Sequence, residues 1–161
     1  STPDGRPSAR MVLLKAVDER GFVFYTNLHS RKGRELAENP RVALCFWWDA
    51  LGEQARVEGR IEPVSTAEAD DYWNSRPLAS RIASSASLQS EVLDSRAVLI
   101  ARAAAIAAKA PIMGVPRPAH WSGYRVVPDR IEFWKAADAR LSHRQLYEKT
   151  ETGWQVGLLY P

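Results

Sequence analysis

The order of apolar and polar residues along the chain predicts short strands interrupted by a few helices. Two apolar runs, residues 10–15 and 21–27, flank the charged segment 17–21, which ends in the glycine that a tight reversal needs. This pattern is typical of a β-hairpin. A short helix follows, with Ser30 as its N-cap and Pro40 at its end.

The middle of the chain contains two strand patterns followed by helical ones. Residues 41–48, RVALCFWW, form a short apolar run that predicts a buried strand, and residues 54–64 alternate like a strand with one wet face. A capping box that begins at Ser65 opens a helix that Pro77 ends. The serine-rich residues 78–90 have no clear periodicity and predict a loop or an irregular helix.

The last part of the chain returns to strands. Residues 91–110 are rich in alanine and leucine at helical spacing and predict a long helix, followed by a proline-rich connector. Four more short strands are predicted, at residues 121–127, 130–134, 140–149 and 153–160. About seven strands with inserted helices and no repeated β-α-β pattern indicate a mainly β protein, an antiparallel barrel. A chain of 161 residues has the length of one domain.

Composition and charge narrow the class of protein. Apolar and charged contents of 45% and 25% are those of a soluble globular protein, and a net charge of +3 suits a small anionic ligand better than nucleic acid. The single cysteine, Cys45, excludes an intramolecular disulfide and is predicted to be a packed core thiol, like the strand-end residues Trp47, Trp48 and Trp134. No apolar run approaches the roughly 20 residues of a membrane span and no leader opens the chain, so we expect a cytoplasmic protein with no membrane partner.

Positive charge is concentrated where the predicted hairpin meets the predicted first helix. Arg31 and Lys32 occupy the first turn of that helix, where free backbone N–H groups already favour an anion. Arg10 and Lys15 bracket the first predicted strand, so four cations can face one phosphate-bearing ligand. The alternative is a solvated basic face.

Other candidate residues are few. The sequence has no metal-binding, nucleophilic or Walker-type motif, and its three histidines are predicted to be surface or loop residues. Tyr72, Arg76 and Ser80 are spaced by four residues, so they either form an exposed helix end or offer donors to a phosphate monoester.

Taken in order, several motifs resemble those of the pyridoxine (pyridoxamine) 5′-phosphate oxidase family, flavin enzymes of vitamin B6 metabolism built on an FMN-binding split barrel. They are RMVLLK at 10–15, FYTN at 24–27, SRKGRELAENPR at 30–41, VEGR at 57–60, YWNSRP at 72–77, QS at 89–90, VPRPAHWSGYRVVPDRIEFW at 115–134 and RL…R…Y at 140–147. The resemblance covers nearly the whole chain. It implies one split-barrel domain over residues 1–161, without the family's N-terminal helix and first strand before Ser1.

The resemblance implies FMN as the cofactor and assigns its contacts. Arg31 and Lys32 hold the flavin phosphate, in agreement with the charge at the helix start. The other implied contacts are Arg10, Lys15, Tyr25, Thr26, Gln54, Gln89, Ser90, Trp134 and Arg144. Several of them reach the flavin from the second subunit of a homodimer, which places the flavin at the subunit interface.

The resemblance also implies a reaction, the oxidation of pyridoxine 5′-phosphate or pyridoxamine 5′-phosphate to pyridoxal 5′-phosphate. A hydride passes from the C4′ carbon of the B6 vitamer to the flavin, and dioxygen is reduced to hydrogen peroxide. Lys15, Tyr72, Arg76 and Ser80 grip the substrate phosphate, and Arg140 lies over the substrate ring.

Two departures from the family pattern bear on the substrate. The family run RLHDR reads RLSHR here, so Ser142 stands at the histidine position, as the candidate catalytic residue beside Arg140. A one-residue slip that moved His143 into this place would turn the strand's side chains to the opposite face. Ala83 and Ser85 replace the glycine and tryptophan that usually follow the phosphate-binding serine. We expect FMN binding to survive both changes, and an oxidase slower than its relatives.

Two other functions remain open. One is a split-barrel flavin oxidase that acts on another substrate, as in phenazine biosynthesis, and the other is a non-catalytic protein that binds FMN or pyridoxal phosphate. Lys15, Tyr72, Arg76 and Ser80 favour a phosphorylated substrate over a phenazine precursor, whose charge is a carboxylate. Peroxide release would separate an enzyme from a carrier.

Overall fold

Residues 1–161 are described by a computed structural model with seven strands and four α-helices. The strands are β1 (Ala16–Asp18), β2 (Gly21–Asn27), β3 (Arg41–Trp48), β4 (Glu53–Pro63), β5 (Trp121–Lys135), β6 (His143–Thr150) and β7 (Gly153–Leu158). The helices are α1 (Arg31–Glu38), α2 (Thr66–Ser75), α3 (Leu78–Ala86) and α4 (Arg96–Met113). None of the four combines the length and the hydrophobicity needed to span a lipid bilayer.

All seven strands belong to one antiparallel sheet that is organised around β5. The first half of β5 pairs with β2 and β4, and its second half pairs with β4 and β6. The remaining strands extend the sheet, β1 beside β2, β3 beside β4 and β7 beside β6. The prediction of a mainly β, antiparallel fold with inserted helices is confirmed.

A bulge in the ladder between β4 and β5 accommodates a proline in the longest strand. The register shifts beside Gly59, which pairs with Pro128, and Asp129 is left without a partner. Proline has no N–H group for a regular ladder, and a bulge is where a sheet tolerates it. A Cβ atom on Gly59 would lie 2.2 Å from the Val127 carbonyl oxygen, so the close approach of the two strands requires glycine.

The main core packs helix α1 against the sheet. Phe24, Val57, Tyr124 and Val126, from three neighbouring strands, are buried together with Leu36 of α1. Burial of an aliphatic or aromatic side chain of this size contributes roughly 1.5–3 kcal/mol. The position of α1 relative to the end of β2 is therefore fixed by apolar packing.

Helix α2 is fixed to the sheet by a tryptophan and by an ion-pair network. Trp73 is 1% exposed and donates its indole N–H to the Val115 carbonyl oxygen at 2.9 Å. Arg125, buried in β5, pairs with Asp18 of β1 at 2.6 Å and with Glu68 of α2 at 3.0 Å. Arg20 pairs with the same two carboxylates, at 3.1 and 3.2 Å, so a network of four charges joins β1, α2 and β5.

The first strand of the predicted hairpin, at residues 10–15, is not found in the structure. Residues 10–15 form no strand, and the only ladder bond near them is from the Lys15 N–H to the Val23 carbonyl oxygen at 2.8 Å. Met11 is 96% exposed and Leu13 is 71% exposed. The apolar run predicted a strand, but within one chain only Val12 packs against the main core, whereas Met11 and Leu13 remain exposed.

The prediction of two strands at residues 121–127 and 130–134 is also wrong, because both belong to β5. Pro128 and Asp129 looked like a break between strands, whereas the bulge absorbs them. The next strand, β6, begins at His143, three residues after the predicted start at 140.

The starts of the first two helices follow the sequence closely. Ser30 caps α1 and Ser65 opens α2 with a complete capping box, as predicted. The serine-rich residues after Pro77 form the regular helix α3, with Ala86 buried. Helix α4 begins five residues later than predicted and continues through Pro111, which lies in its last turn, to Met113.

Cys45, Trp47 and Trp48 are not core residues, contrary to the prediction. Strand β3 pairs only with β4, and its side chains alternate between a half-buried and an exposed face. Cys45 is exposed, and Trp47 and Trp48 are 53% and 45% exposed. A continuous apolar run has no polar positions to show which face is exposed, so the sequence could not reveal this.

We expect Gly59→Ala to lower the free energy of unfolding by about 1–3 kcal/mol, because the added methyl group has no room against the backbone of β5. Urea denaturation measures the loss. Arg60→Ala, one position along, removes only an exposed pair with Glu62 and should cost less than about 1 kcal/mol. Equal unfolding midpoints for the two variants would show that the bulge does not constrain position 59.

Candidate functional site

A cleft of about 740 Å³ lies beside the start of β5, between the segment at residues 10–15, the end of β2 and the helices α2 and α3. Eight residues predicted from the sequence line it: Arg10, Lys15, Tyr25, Thr26, Lys32, Tyr72, Arg76 and Gln89. The fold thus brings together cations and aromatic residues that are far apart in the sequence.

Stacked aromatic rings form one wall of the cleft. The Tyr25 ring centroid lies 4.1 Å from that of Tyr72 and 5.4 Å from that of Trp121. Tyr25 pairs with Gly123 across the sheet, and a Cβ atom there would lie 2.7 Å from the tyrosine ring. The Tyr25 hydroxyl donates to the Glu68 carbonyl oxygen at 3.2 Å, and burial raises its pKa. The wall is therefore well packed and uncharged.

Arg76 lies over this wall without a carboxylate partner. Its guanidinium carbon is 4.7 Å from the Trp121 ring centroid and 5.1 Å from that of Trp73. Nη2 donates to Ser84 Oγ at 2.9 Å, whereas Nη1 is buried and has no acceptor. Burial lowers the pKa of Arg76, because the charged form loses hydration. A buried donor without an acceptor is costly, so this group fits an anion that enters the cleft.

Two lysines add positive charge to the same cleft. Lys32, in the first turn of α1, donates from Nζ to the Thr26 hydroxyl and contacts no carboxylate. Burial lowers the pKa of Lys32, and the neighbouring Arg10 lowers it further. Lys15 Nζ lies 5.6 Å from the centroid of the Tyr72 ring. An anionic ligand near these two lysines would stabilise their charged forms.

Glu35 binds the other two predicted cations. Its buried carboxylate accepts from Ser8 Oγ at 2.8 Å, from Arg10 at 2.9 Å and from Arg31 Nε at 2.8 Å. These bonds, with that of Ser8 first, lower the pKa of Glu35 from 4.5 to about 2. Arg31 points to Glu35 and does not line the cleft, so its contact with a flavin phosphate stays a prediction.

A second pocket, of about 520 Å³, lies at the other end of β5. Its lining contains four more of the predicted residues: Gln54, Trp134, Ser142 and Arg144. Arg144 Nε donates to buried Glu132 at 2.8 Å, and this bond lowers the pKa of Glu132. The two pockets have no lining residue in common.

Besides Arg31, three predicted residues, Arg140, Ser80 and Ser90, line neither pocket. Arg140 and Ser90 are exposed, with positive φ angles, and Ser80 is half-buried on α3. His143 borders the second pocket beside Ser142, with no register shift between β5 and β6. In a strand, neighbouring side chains point to opposite faces, but Ser142 lies just before β6 begins. Ser142 and His143 can therefore both border the second pocket.

Comparison with known proteins identifies the family. Residues 1–110 match the family described as pyridoxamine 5′-phosphate oxidase, and residues 121–161 match the pyridoxine 5′-phosphate oxidase C-terminal dimerisation region. The chain belongs to this family.

Several relatives carry the name pyridoxine/pyridoxamine 5′-phosphate oxidase. One from Myxococcus xanthus (strain DK1622) is 57% identical over 158 residues, which cover 98% of this chain and 77% of the relative. One from Gluconobacter oxydans (strain 621H) is 55% identical over 161 residues, which cover 100% and 80%.

Solved structures have the same fold. PhzG from Burkholderia lata 383, in complex with tetrahydrophenazine-1-carboxylic acid, has a TM-score of 0.95 and 37% identity and covers 100% of this chain and 79% of its own. A pyridoxamine 5′-phosphate oxidase-related, FMN-binding protein from Nostoc punctiforme has a TM-score of 0.79 at 16% identity, with coverages of 99% and 84%. The expected split-barrel fold is confirmed.

Membership of the pyridoxamine 5′-phosphate oxidase family supports the expected cofactor, FMN. Its C-terminal dimerisation region supports a homodimer. Within that region β7 has no buried residue, and Val156 and Leu158 are 50% and 84% exposed. An exposed apolar strand is typical of a surface that a partner covers.

Sequence reasoning misses three residues that shape the cleft, Trp121, Ser84 and Glu35. Trp121 lies in one of the family motifs, but a single sequence does not show that its ring faces Tyr25. The pairing of Glu35 could have been predicted, since Glu35 follows Arg31 by four residues on a predicted helix and such residues are neighbours on its surface. No sequence pattern pointed to Ser84, because the serine-rich segment lacks periodicity.

We expect Glu35→Gln to be less stable than the parent at neutral pH, with a difference in Tm that shrinks in acid. The folded-state pKa is lowered from 4.5 to about 2, so the carboxylate stabilises the fold above the higher value and loses this effect as the pH falls through the lower one. Thermal unfolding at a series of pH values between neutral pH and acid measures this difference in Tm. Glu38→Gln, an exposed change on the same helix, should follow the parent, and a pH-independent difference for Glu35→Gln would contradict the assignment.

Proposed function

We propose that this chain is an FMN-dependent oxidase that converts pyridoxine 5′-phosphate or pyridoxamine 5′-phosphate to pyridoxal 5′-phosphate. The observation that carries the proposal is the cleft in which Arg76, Lys15 and Lys32 bring positive charge beside a stacked aromatic wall, with no carboxylate bound to them. An aromatic ring that bears a phosphate is complementary to such a cleft. The 57% identity to a relative with the oxidase name supports this function.

The cleft fits the phosphate of FMN at the first turn of α1. Lys32 and the Thr26 hydroxyl would hold that phosphate, with Arg10 kept nearby by Glu35. The chemistry that the cofactor supplies is acceptance of a hydride from the C4′ carbon of the vitamer and reduction of dioxygen to hydrogen peroxide. The chain's own residues would bind and orient the two ligands and exclude water.

The substrate phosphate would lie against Arg76. The unpartnered Nη1 of this residue, together with Lys15 and the Tyr72 hydroxyl, offers donors suited to a phosphate monoester. Ser80 remains a predicted contact, one helical turn before Ser84. The aromatic wall would order the pyridine ring by stacking.

The second pocket would complete the site from the partner subunit. On one chain it lies at the opposite end of β5 from the cleft, so the two cannot enclose the same ligand. In a symmetric dimer the cleft of each subunit can face the second pocket of the other. Gln54, Trp134 and Arg144 would then contact the flavin, while Ser142 and Arg140 would approach the substrate ring.

The likeness to PhzG favours a second candidate, a split-barrel flavin oxidase that acts on another substrate. That protein is 37% identical and was solved with a phenazine-type carboxylic acid. Ser142, at the position of the family's histidine, is compatible with such a change of substrate. The unpartnered cations of the cleft suit a phosphate dianion better than a single carboxylate, so the vitamer phosphate is the first choice.

The direct test is to purify the protein with FMN and to measure hydrogen peroxide after addition of pyridoxamine 5′-phosphate. We expect a yellow homodimer that releases peroxide and forms pyridoxal 5′-phosphate. Oxidation of a reduced phenazine-carboxylic acid in its place would support the second candidate. Binding of FMN without peroxide from any of these substrates would indicate a carrier.

We expect Lys32→Ala to weaken FMN binding by about 1.5–3 kcal/mol, the usual scale for a hydrogen bond to a charged group. Recovery of flavin fluorescence on dissociation gives the Kd. Arg34→Ala is the matched control, because Arg34 is exposed on the same helix and bonds only to a backbone oxygen. An equal loss in Arg31→Ala would show that Arg31 turns from Glu35 to the phosphate, and unchanged affinity in Lys32→Ala would overturn the phosphate assignment.

We expect Ser142→His to raise kcat/KM for pyridoxamine 5′-phosphate by about 10- to 100-fold. An imidazole reaches further than a hydroxyl and can carry charge, and one such contact is worth about 1.5–3 kcal/mol. The paired variant His143→Ala should change kcat/KM little. A large loss in His143→Ala with no gain in Ser142→His would instead give the role of the family's histidine to His143.

A further inference from the structure

The two arginines of the cleft are held by chemically different partners. Arg10 is bound by the carboxylate of Glu35, whereas the side chain of Arg76 bonds only to the neutral hydroxyl of Ser84. A carboxylate largely cancels the charge of the arginine it binds, but a hydroxyl leaves that charge available to a ligand. We propose that Ser84 is a positioning residue that orients Arg76 for the anionic group of the substrate. This inference rests on the proposed function and adds a residue to its site.

The backbone between α2 and α3 creates this contact. Arg76 is the C-cap of α2 and Pro77 is the N-cap of α3, so the two helices follow each other without a loop, and Ser84 Oγ lies 2.9 Å from Arg76 Nη2. The Arg76 guanidinium lies over the rings of Trp73 and Trp121, which offer it no hydrogen-bond acceptor. The bond to Ser84 therefore fixes the direction of Nη2, and Nη1 is the nitrogen that lacks an acceptor.

The neighbouring serines do not duplicate this function. Ser87 lines the cleft but makes no bond to Arg76, and the Ser85 hydroxyl is buried without a partner beside a separate pocket of about 310 Å³. Ser84 Oγ accepts from Arg76 and donates to no group of the chain. Its proton is therefore also free for the ligand, since a serine hydroxyl can accept and donate at the same time.

The test compares two unreactive ligands that differ only in the phosphate, 4-deoxypyridoxine 5′-phosphate and 4-deoxypyridoxine. Titration calorimetry on the FMN-loaded protein gives both Kd values. Ser84→Ala should raise the Kd of the phosphorylated ligand about ten-fold and leave that of the other unchanged. Ser84→Thr should restore the affinity, and Ser84→Asp should abolish the preference for phosphate because it pairs with Arg76. Ser85→Ala is the matched control, with no change expected.

The outcomes separate this inference from the proposed function. Unchanged phosphate preference in Ser84→Ala, or an equal loss for both ligands, overturns the positioning role. Peroxide formation by the parent tests the oxidase function independently of these affinities. In the kinetics of an active parent, Ser84→Ala should raise KM with kcat nearly unchanged, and a fall in kcat alone would also count against the proposal. A parent without any preference for phosphate would overturn this inference, while the oxidase function would still be decided by peroxide formation.

Discussion

The pairing of β5 with three neighbouring strands is the constraint on which both pockets depend. The start of this strand carries Trp121 into the cleft, and its end carries Trp134 into the second pocket. Between them the bulge at Asp129 changes the register against β4, and Gly59 allows the two backbones to approach. The distance and orientation of the two pockets are therefore set by backbone geometry, which side-chain changes on the surface cannot easily alter.

Charge in the cleft is organised by the placement of carboxylates as much as by that of cations. The Glu35 carboxylate accepts hydrogen bonds from Arg10, Arg31 and Ser8. This side of the cleft is therefore held by strong, charge-assisted bonds. Arg76 and Lys32 contact hydroxyls instead and keep their charge for a ligand. A site built in this way combines a rigid frame with a net attraction for phosphate groups.

The fold class could be predicted because strands, turns and caps depend on local patterns, and most of the cleft was assigned through the resemblance to the family's motifs. Caps such as Ser30 and Ser65 act over three residues, and the motif YWNSRP, which contains Arg76, is read from neighbours in the chain. The features that the sequence could not predict depend on contacts between distant segments of the chain. The exposure of Cys45 follows from the position of β3 at a sheet edge, and the bond from Arg76 to Ser84 follows from the turn at Pro77.

The placement of the cleft and the second pocket at opposite ends of one strand has a genetic consequence. If each complete site takes one half from each subunit, a mixed dimer of two inactive variants, damaged in different halves, contains one intact site and one doubly damaged site. Random exchange between equal amounts of two such variants would leave about one quarter of all sites intact. Two defective alleles of this gene would then complement each other within a single cell, although neither supports the function alone.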